Sequence, residues 1–483
     1  MPLLLGAIAV VAGLASAIAP VLSMAILAVA IVALAISLSP ISALALMLCV
    51  APLRTLITTE SALQLPLDVG QIAFVVFVFV WWIHRIIRKQ QAFHVTQSPL
   101  LIAVGAFTVA IGMTAFVAFS LQFWMTEWLK WVVVLATMIL IMDLGRHRRW
   151  ETIVGVLVAS GITNALVGLY IFFGGSGADH LLINGQYFRA FGTFGQPNPF
   201  GGFLGLLVPI AVVMAWGYLM QGWQIWQATK KLAWGKLPFL LYYAGGAVVM
   251  LGGIVASWSR GAWLGFVVSM AVVAFCLPRK LWQSLLLSGS ALTIVTGLWF
   301  GGLIPDSIQQ RVLSSTEELF SFSDVRGVDI TTSNYAIVER LAHWQAAMNM
   351  TQEHPWLGVG FGNYEVAYAQ FQLINWDFPL GHAHNYYLNI LAEAGIIGFL
   401  FYAGMWLCIV WVTWYGRQHP DVLMRSLVVG LMGSWAYLAF HSLLDNLYVN
   451  NVFLHLGVML GLLALAYHQR NEIIQRGYYV TSE

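Results

Sequence analysis

Apolar stretches of about 20 residues recur from one end of this chain to the other, and that is the length a helix needs to cross a hydrocarbon core of about 30 Å. Fourteen such spans are marked out, near 3–19, 20–38, 40–57, 69–86, 99–120, 126–143, 151–173, 198–219, 237–257, 261–278, 282–303, 384–414, 425–444 and 451–468. The first three are punctuated only by Pro20 and by Ser39-Pro40. Sixty per cent of the residues are hydrophobic and 9% are charged, so few positions are left from which to build a water-soluble surface. The pattern predicts an all-α polytopic membrane protein with about 12–14 transmembrane helices and an extracytoplasmic helical cap.

The formal net charge of +2 gives no reason to expect nucleic acid as a partner. The placement of charge along the chain is more informative, because cytoplasmic loops collect Lys and Arg. Fifteen of the 22 basic residues fall in alternate loops, from Arg85, Arg88 and Lys89 through Arg146, Arg148 and Arg149 to Arg470 and Arg476. The other seven, Arg54, Lys130, Arg189, Arg260, Arg311, Arg326 and Arg340, fall in or beside the opposite, outer segments. Both termini are then cytoplasmic. Met1-Pro2-Leu3-Leu4-Leu5 lacks the basic residue of a signal peptide, so the first helix is read as retained. Cys49, Cys276 and Cys408 lie inside apolar runs, which suits neither a disulfide framework nor a Cys-rich metal site.

Residues 1–303 are expected to hold the first eleven spans, with an outer loop at 174–197 whose glycines and Pro197 call for tight turns. Residues 304–383 are too polar to span and form the cap; 384–470 carry the last helices and 471–483 a cytoplasmic tail. Within the cap, Ile337, Leu341, Trp344, Ala347 and Met348 recur at helical spacing. After them, His354-Pro355-Trp356-Leu357-Gly358-Val359-Gly360 reads as a turn lying against the membrane. The apolar run that begins at His384 exceeds the core thickness at about 1.5 Å per residue, so its first turns are expected to project outward.

The candidate chemistry lies on the outer side. Guanidinium groups there bind phosphate or carboxylate oxygens in bidentate fashion unless local acids take them up. Such pairing is expected for Arg311 and Arg326; an anionic ligand is expected for Arg189 and Arg260, which sit in Gly-rich turns with few acids nearby in sequence. His382 and His384 place two imidazoles at a membrane boundary, where a histidine can carry a proton near neutral pH. With His343 and His354 upstream they raise the question of zinc, but the H-x-x-x-H spacing and any accompanying Cys are missing, so no metal is expected. His441 and Asp445, four apart, read as helix-end capping. No phosphate-binding loop or nucleotide fingerprint is found, and no cofactor is implied.

Several motifs, in order, resemble the O-antigen ligase and polymerase superfamily over about residues 150–450. They are Arg189 with Gly192-Thr193-Phe194-Gly195-Gln196-Pro197-Asn198, Ser259-Arg260-Gly261-Ala262-Trp263-Leu264-Gly265, Arg340 with Trp344, His354 to Gly360, and His384-Asn385-Tyr386-Tyr387-Leu388 through Glu393-Ala394-Gly395. The resemblance implies a metal-independent, GT-C-like glycosyltransferase in the bacterial cytoplasmic membrane with its site facing outward. Its donor would be an undecaprenyl-pyrophosphate-linked glycan and its acceptor the lipid A core or another lipid-linked glycan, with membrane lipids around both. On this chain the resemblance makes His384 the general base, with His382 as its competitor. It makes Arg189 and Arg260 the pyrophosphate ligands, and assigns Arg340 and Asn385 to substrate binding. A single displacement would invert the anomeric centre.

A relative of the superfamily described as an inorganic-carbon transporter shares the Ser-Arg-Gly and Pro-Trp-Leu-Gly signatures, which makes bicarbonate transport the alternative. An outward-facing His384-Asn385 serves acceptor activation rather than transport, and no interrupted helix with a buried charge is evident in the sequence. A flippase or an envelope-assembly scaffold, in which the arginines only hold a lipid headgroup, is a third reading.

Overall fold

The computed structural model describes residues 37, 39–60, 68–88, 98–146, 148–175, 177–183, 185–302, 309–310, 313, 324–331 and 334–480. The span expected at 3–19, nearly all of that at 20–38, Lys89, Arg311 and much of the first part of the cap lie outside the described residues.

The other twelve spans are helices. They are α1 (Pro40–Val50) with α2 (Arg54–Glu60), α3 (Val69–Ile87), α4 (Pro99–Met113), α5 (Leu121–Leu144), α6 (Arg149–Gly174), α7 (Pro197–Thr229), α8 (Leu237–Ala256), α9 (Arg260–Cys276), α10 (Leu281–Phe300), α13 (Tyr386–Gly416), α14 (Val422–His441) and α15 (Val452–Val480). Between α10 and α13 lie two cap helices, α11 (Tyr335–Glu353) and α12 (Tyr364–Phe371). Among the described residues, ten helical segments are long and apolar enough to cross a membrane, and α9 is a shorter apolar one. The protein is an all-α polytopic membrane protein. Among the described residues the only strands are a two-residue antiparallel pair, β1 (Leu182–Ile183) and β2 (Tyr187–Phe188), in the 174–197 loop.

Local signals set the helix starts. Asp68 accepts from Gly70 N at 2.7 Å while Gln71 reaches back to Asp68 N, a reciprocal cap that satisfies two otherwise orphaned donors. Pro99 and Pro197 occupy first-turn positions, where a missing N–H costs nothing.

The centre of the bundle is α7, packed against α8 and α14, with α15 against α5. Without a hydrophobic drive between helices in lipid, small residues that allow close approach hold such contacts together. A Cβ on Gly205 would fall 1.9 Å from Tyr437 Cζ, and the Tyr437 hydroxyl donates to the Gly201 carbonyl at 3.1 Å. Ser434 Oγ donates to Leu206 O at 2.6 Å across the same interface.

Ion pairs mark the two ends. Arg85 meets Asp143 at 2.9 Å and Arg148 meets Asp421 at 3.8 Å, which gathers the ends of α3 and α5 with the starts of α6 and α14. Arg54 and Asp68, 2.7 Å apart, lie at the opposite end.

The cap joins the bundle through a break in α13. Gly395 has φ 62° and ψ −168°, a conformation open essentially to glycine alone. A carbonyl and an N–H of α13 at the break are used by the segment that follows α11: Val359 N donates to Ala392 O at 2.9 Å, and Ile396 N donates to Pro355 O at 2.8 Å. A Cβ on Gly395 would fall 2.3 Å from the Trp356 carbonyl carbon. The Pro-Trp-Leu-Gly turn is therefore inserted into a transmembrane helix, where the sequence suggested a turn lying against the bilayer. An interrupted helix with a buried carboxyl group, which the sequence did not reveal, is also present, since Glu393 is 5% exposed.

In α11, Leu341, Trp344 and Ala347 are buried as expected, whereas Met348 is 41% exposed. The buried arc turns instead through Val338, Ala342, Ala346 and Met350, because apolar clusters lie on two sides of the helix. The segment read as a polar tail continues α15 through Val480.

Candidate active site

Three segments far apart in sequence meet where the cap rests on the bundle: the 380–385 loop, α11, and the 442–451 turn that follows α14. His382 Nε2 and His384 Nδ1 each lie 3.6 Å from Asp445 Oδ1, and the two imidazole rings are 4.3 Å apart. Asp445 was read from its spacing to His441 as a helix cap. The helix in fact ends at His441, and the turn beyond it aims Asp445 at the two histidines.

The backbone here is bent into conformations that L side chains rarely adopt. Leu380 (φ 40°), His384 (φ 52°), Asn450 (φ 48°) and Asn451 (φ 61°) all have positive φ, and such strain persists only where the surroundings over-determine it. Those surroundings are visible. Asn389 Oδ1 accepts from Ala383 N at 3.1 Å, Tyr386 N donates to Ser442 O at 2.8 Å, and Asn451 Nδ2 donates to Ala51 O at 3.0 Å. Asn385, expected at the substrate, spends its side-chain oxygen on the start of α13, accepting from Tyr387 N at 3.1 Å and Leu388 N at 3.2 Å. It fixes the residue next to His384.

The hydrogen bonds separate the two imidazoles. His382 Nδ1 accepts from His384 N at 3.0 Å, which leaves its Nε2–H directed at Asp445. Its Nδ1 is thus engaged by the backbone. His384 turns Nδ1 to Asp445, just beyond hydrogen-bonding distance, and its Nε2 is the nitrogen on the side away from the carboxylate. Burial, and then His384, hold His382 down at about 4, so it stays neutral near pH 7. Burial pushes the Asp445 carboxyl up, but the neighbouring His384, His382 and His441 outweigh it and hold the group below the usual carboxylate range. His343 closes the far side, its ring 6.1 Å from His384 and its Nδ1 2.9 Å from the Tyr364 hydroxyl. Burial brings His343 down to about 3.

Burial lowers Arg340, on α11, with Asp445 opposing that shift and Arg260 adding to it, which puts Arg340 within the field of both. Arg260 opens α9 after Trp258 (φ 52°) and the N-cap residue Ser259, and a Cβ on the adjacent Gly261 would lie 3.8 Å from His441 Cε1. Arg189 braces the same turn: its Nε donates to Ser257 O at 3.0 Å and its Nη2 to Asn198 Oδ1 at 3.4 Å. The expected local pairing holds for Arg326, 2.6 Å from Asp324.

The ligand atoms of His382, His384 and Asp445 all lie within 4.8 Å of one another. Two imidazoles and a carboxylate at that spacing are a donor set that suits a divalent cation as well as a hydrogen-bonded dyad. What the arrangement does chemically without an ion is hold an imidazole against a carboxylate beside guanidinium groups, which suits proton abstraction next to a departing anion.

Residues 245–403 match the family model described as O-antigen ligase. That segment is similar to an O-antigen ligase domain. The matched segment includes Arg260, Arg340, His382, His384 and Asn385; Arg189 and Asp445 lie outside it. An O-antigen ligase of Pseudomonas aeruginosa is 24% identical over 242 residues, 49% of this chain and 50% of that protein. The aligned stretch thus spans about half the length of the relative it matches.

Proposed function

We propose that this chain is a membrane glycosyltransferase of O-antigen ligase type. It moves a glycan from an undecaprenyl-pyrophosphate carrier to an acceptor hydroxyl outside the cytoplasmic membrane, either on a lipid A core or on another glycan. The observation that carries the proposal is the Asp445–His384 pair with Arg340 in the field of Asp445, where His384, Arg340 and Arg260 lie inside the segment similar to the ligase family and Asp445 lies outside it.

Asp445 holds Nδ1–H of His384, so Nε2 takes the acceptor hydroxyl's proton. The acceptor oxygen forms its bond to the anomeric carbon as the bond from that carbon to the phosphate oxygen breaks. The bonding pair leaves with the lipid pyrophosphate, whose growing charge is met by Arg260 and Arg340, with Arg189 bracing the turn that presents Arg260. The resulting imidazolium is stabilised by Asp445 until its proton passes to water. Attack opposite the leaving group inverts the anomeric centre. No Lewis acid is required, because pyrophosphate is a competent leaving group once cations hold it.

The broken α13 with its buried Glu393 favours bicarbonate transport as a second reading. It ranks second because Glu393 Oε1 already accepts from Tyr364 N at 3.1 Å, a contact within the cap joint. Deleting the gene and analysing the surface polymers separates the readings. A polymer that loses its attachment marks a ligase, and one that loses length marks a polymerase. Unaltered polymers, with bicarbonate flux in proteoliposomes free of lipid-linked sugar, would replace the proposal with transport.

A further inference from the structure

A cavity of about 380 Å³ opens against the other side of the histidine loop, reaching Gly381 and His382. That volume lies in the ~300–1,000 Å³ range of small-ligand sites and leaves room for a short saccharide. Arg189, Arg260 and Arg340 are not among the residues that line it. Its walls come from α5, the start of α12, the first turns of α13 and the 446–449 turn, and they combine amide and carboxylate groups with aromatic faces. Gln122, Glu127, Glu365 and Asn446 supply the polar groups; Phe123 and Trp131 supply ring faces.

Lys130 and Arg54, the basic side chains of this lining apart from His382, are both paired with carboxylates. Lys130 is paired with Glu127, and Arg54 with Asp68 at 2.7 Å. Glu365 and Glu393 then add carboxylates, which would repel an anion. Carboxylates and amides that accept hydrogen bonds from hydroxyl groups, next to rings on which the C–H face of a sugar can stack, match a neutral polyol. The lining also points at the reacting centre: a Cβ on Gly381 would lie 3.8 Å from Glu365 Oε2, which puts that carboxylate beside the loop that carries His382 and His384.

We propose that this cavity is the acceptor subsite, and that it receives the neutral, hydroxyl-rich end of a glycan and delivers one hydroxyl to the histidine pair while the arginines hold the donor's pyrophosphate on the opposite side. The proposal rests on the glycosyltransferase reading above. It makes Glu365 and Gln122 determinants of acceptor specificity, and both are exposed enough to be replaced without disturbing the core.

The test uses the full chain in lipid nanodiscs. Isothermal titration without donor compares a delipidated, dephosphorylated lipopolysaccharide core oligosaccharide with inorganic pyrophosphate, for the parental protein and for Glu365→Gln and Gln122→Ala. A lost hydrogen bond to a charged group corresponds to about a tenfold change in affinity. The expected result is saccharide binding that weakens about tenfold or more in Glu365→Gln and less in Gln122→Ala, with pyrophosphate binding unchanged. Saccharide affinity that is absent, or unchanged in both variants, overturns the proposal. So does a variant in which pyrophosphate binding is the one that falls. Transfer assays keep the two claims apart. His384-dependent transfer with an unchanged acceptor half-saturation in both variants removes the subsite alone, whereas transfer that survives His384→Ala removes the catalytic reading and leaves the binding result standing.

Discussion

Replacing Asp445 with Asn removes one charge and little else. The Asp445 Oδ1 that faces the histidines also accepts from Asn446 N at 2.9 Å, a bond an amide oxygen retains, so the 442–451 turn stays in place. The lost quantity is the attraction between the carboxylate and the imidazolium that forms when His384 takes the acceptor proton. Opposite charges about 4 Å apart attract by ~4 kcal/mol at an effective dielectric near 20, and His384 Nδ1 stands 3.6 Å from Asp445 Oδ1. That attraction is a ceiling, since water reaches His384, whose side chain is 21% exposed. At ~1.4 kcal/mol per factor of ten, the ceiling is about a thousandfold in rate. A drop in kcat of about a hundredfold to a thousandfold is expected, with half-saturation for donor and acceptor moving by less than about threefold. The assay is single-turnover glycan transfer in proteoliposomes, with circular dichroism to confirm that the variant is folded. A folded Asp445→Asn protein with kcat within about threefold of parental would show that the carboxylate does not support the base.

Three further perturbations test the frame around the site. Gly395→Ala places a Cβ 2.3 Å from the Trp356 carbonyl carbon at a φ of 62°, so it is expected to cost at least ~1–3 kcal/mol and to lower the apparent Tm in detergent; an unchanged Tm would refute the joint between the cap and α13. His343 and His382 have folded-state values of about 3 and about 4, below the ordinary ~6.5. Between those limits the unfolded chain binds more protons than the folded one, so stability falls as pH drops through the window, by up to ~1.4 kcal/mol per pH unit for each group. A thermal-shift series from pH 7 to 5 is expected to show that decline and a shallower one in His343→Gln; identical slopes would contradict the burial argument. Because the two histidines and Asp445 also suit a divalent cation, a chelator titration is informative. Transfer is expected to persist in excess EDTA, and loss restored by added zinc or manganese would assign those residues to a metal instead.

The membrane spans were legible because the hydrophobic requirement for crossing lipid is written along the chain. The run read as 384–414 is the helix Tyr386–Gly416, and that at 151–173 is Arg149–Gly174. Length was less legible where a helix outlasts the bilayer: α7 runs on to Thr229, past the 198–219 core, through Gln221, Gln224 and Gln227, which no hydrophobic count includes. Asp445 could not be placed because its partners lie some sixty residues earlier, and a four-residue spacing to His441 suggests a shared helical face until the helix is seen to stop between them. The same is true of the joint that holds the cap. Gly358 and Gly395 stand in separate motifs, and only the fold shows that a Cβ on Gly358 would strike the Ala392 carbonyl at 2.4 Å while Gly395 opens the gap that receives the turn. The choice between His382 and His384 rests on one backbone contact, His384 N to His382 Nδ1, which no spacing rule contains.

The central claim is that His384 activates the acceptor while the arginines hold the donor. It is tested most directly by measuring, in one set of nanodiscs, donor binding and glycan transfer for His384→Ala and Arg260→Ala. The account predicts that His384→Ala binds undecaprenyl-pyrophosphate-linked glycan as the parental protein does yet transfers none of it, and that Arg260→Ala loses donor affinity. Transfer by His384→Ala at the parental rate would contradict it.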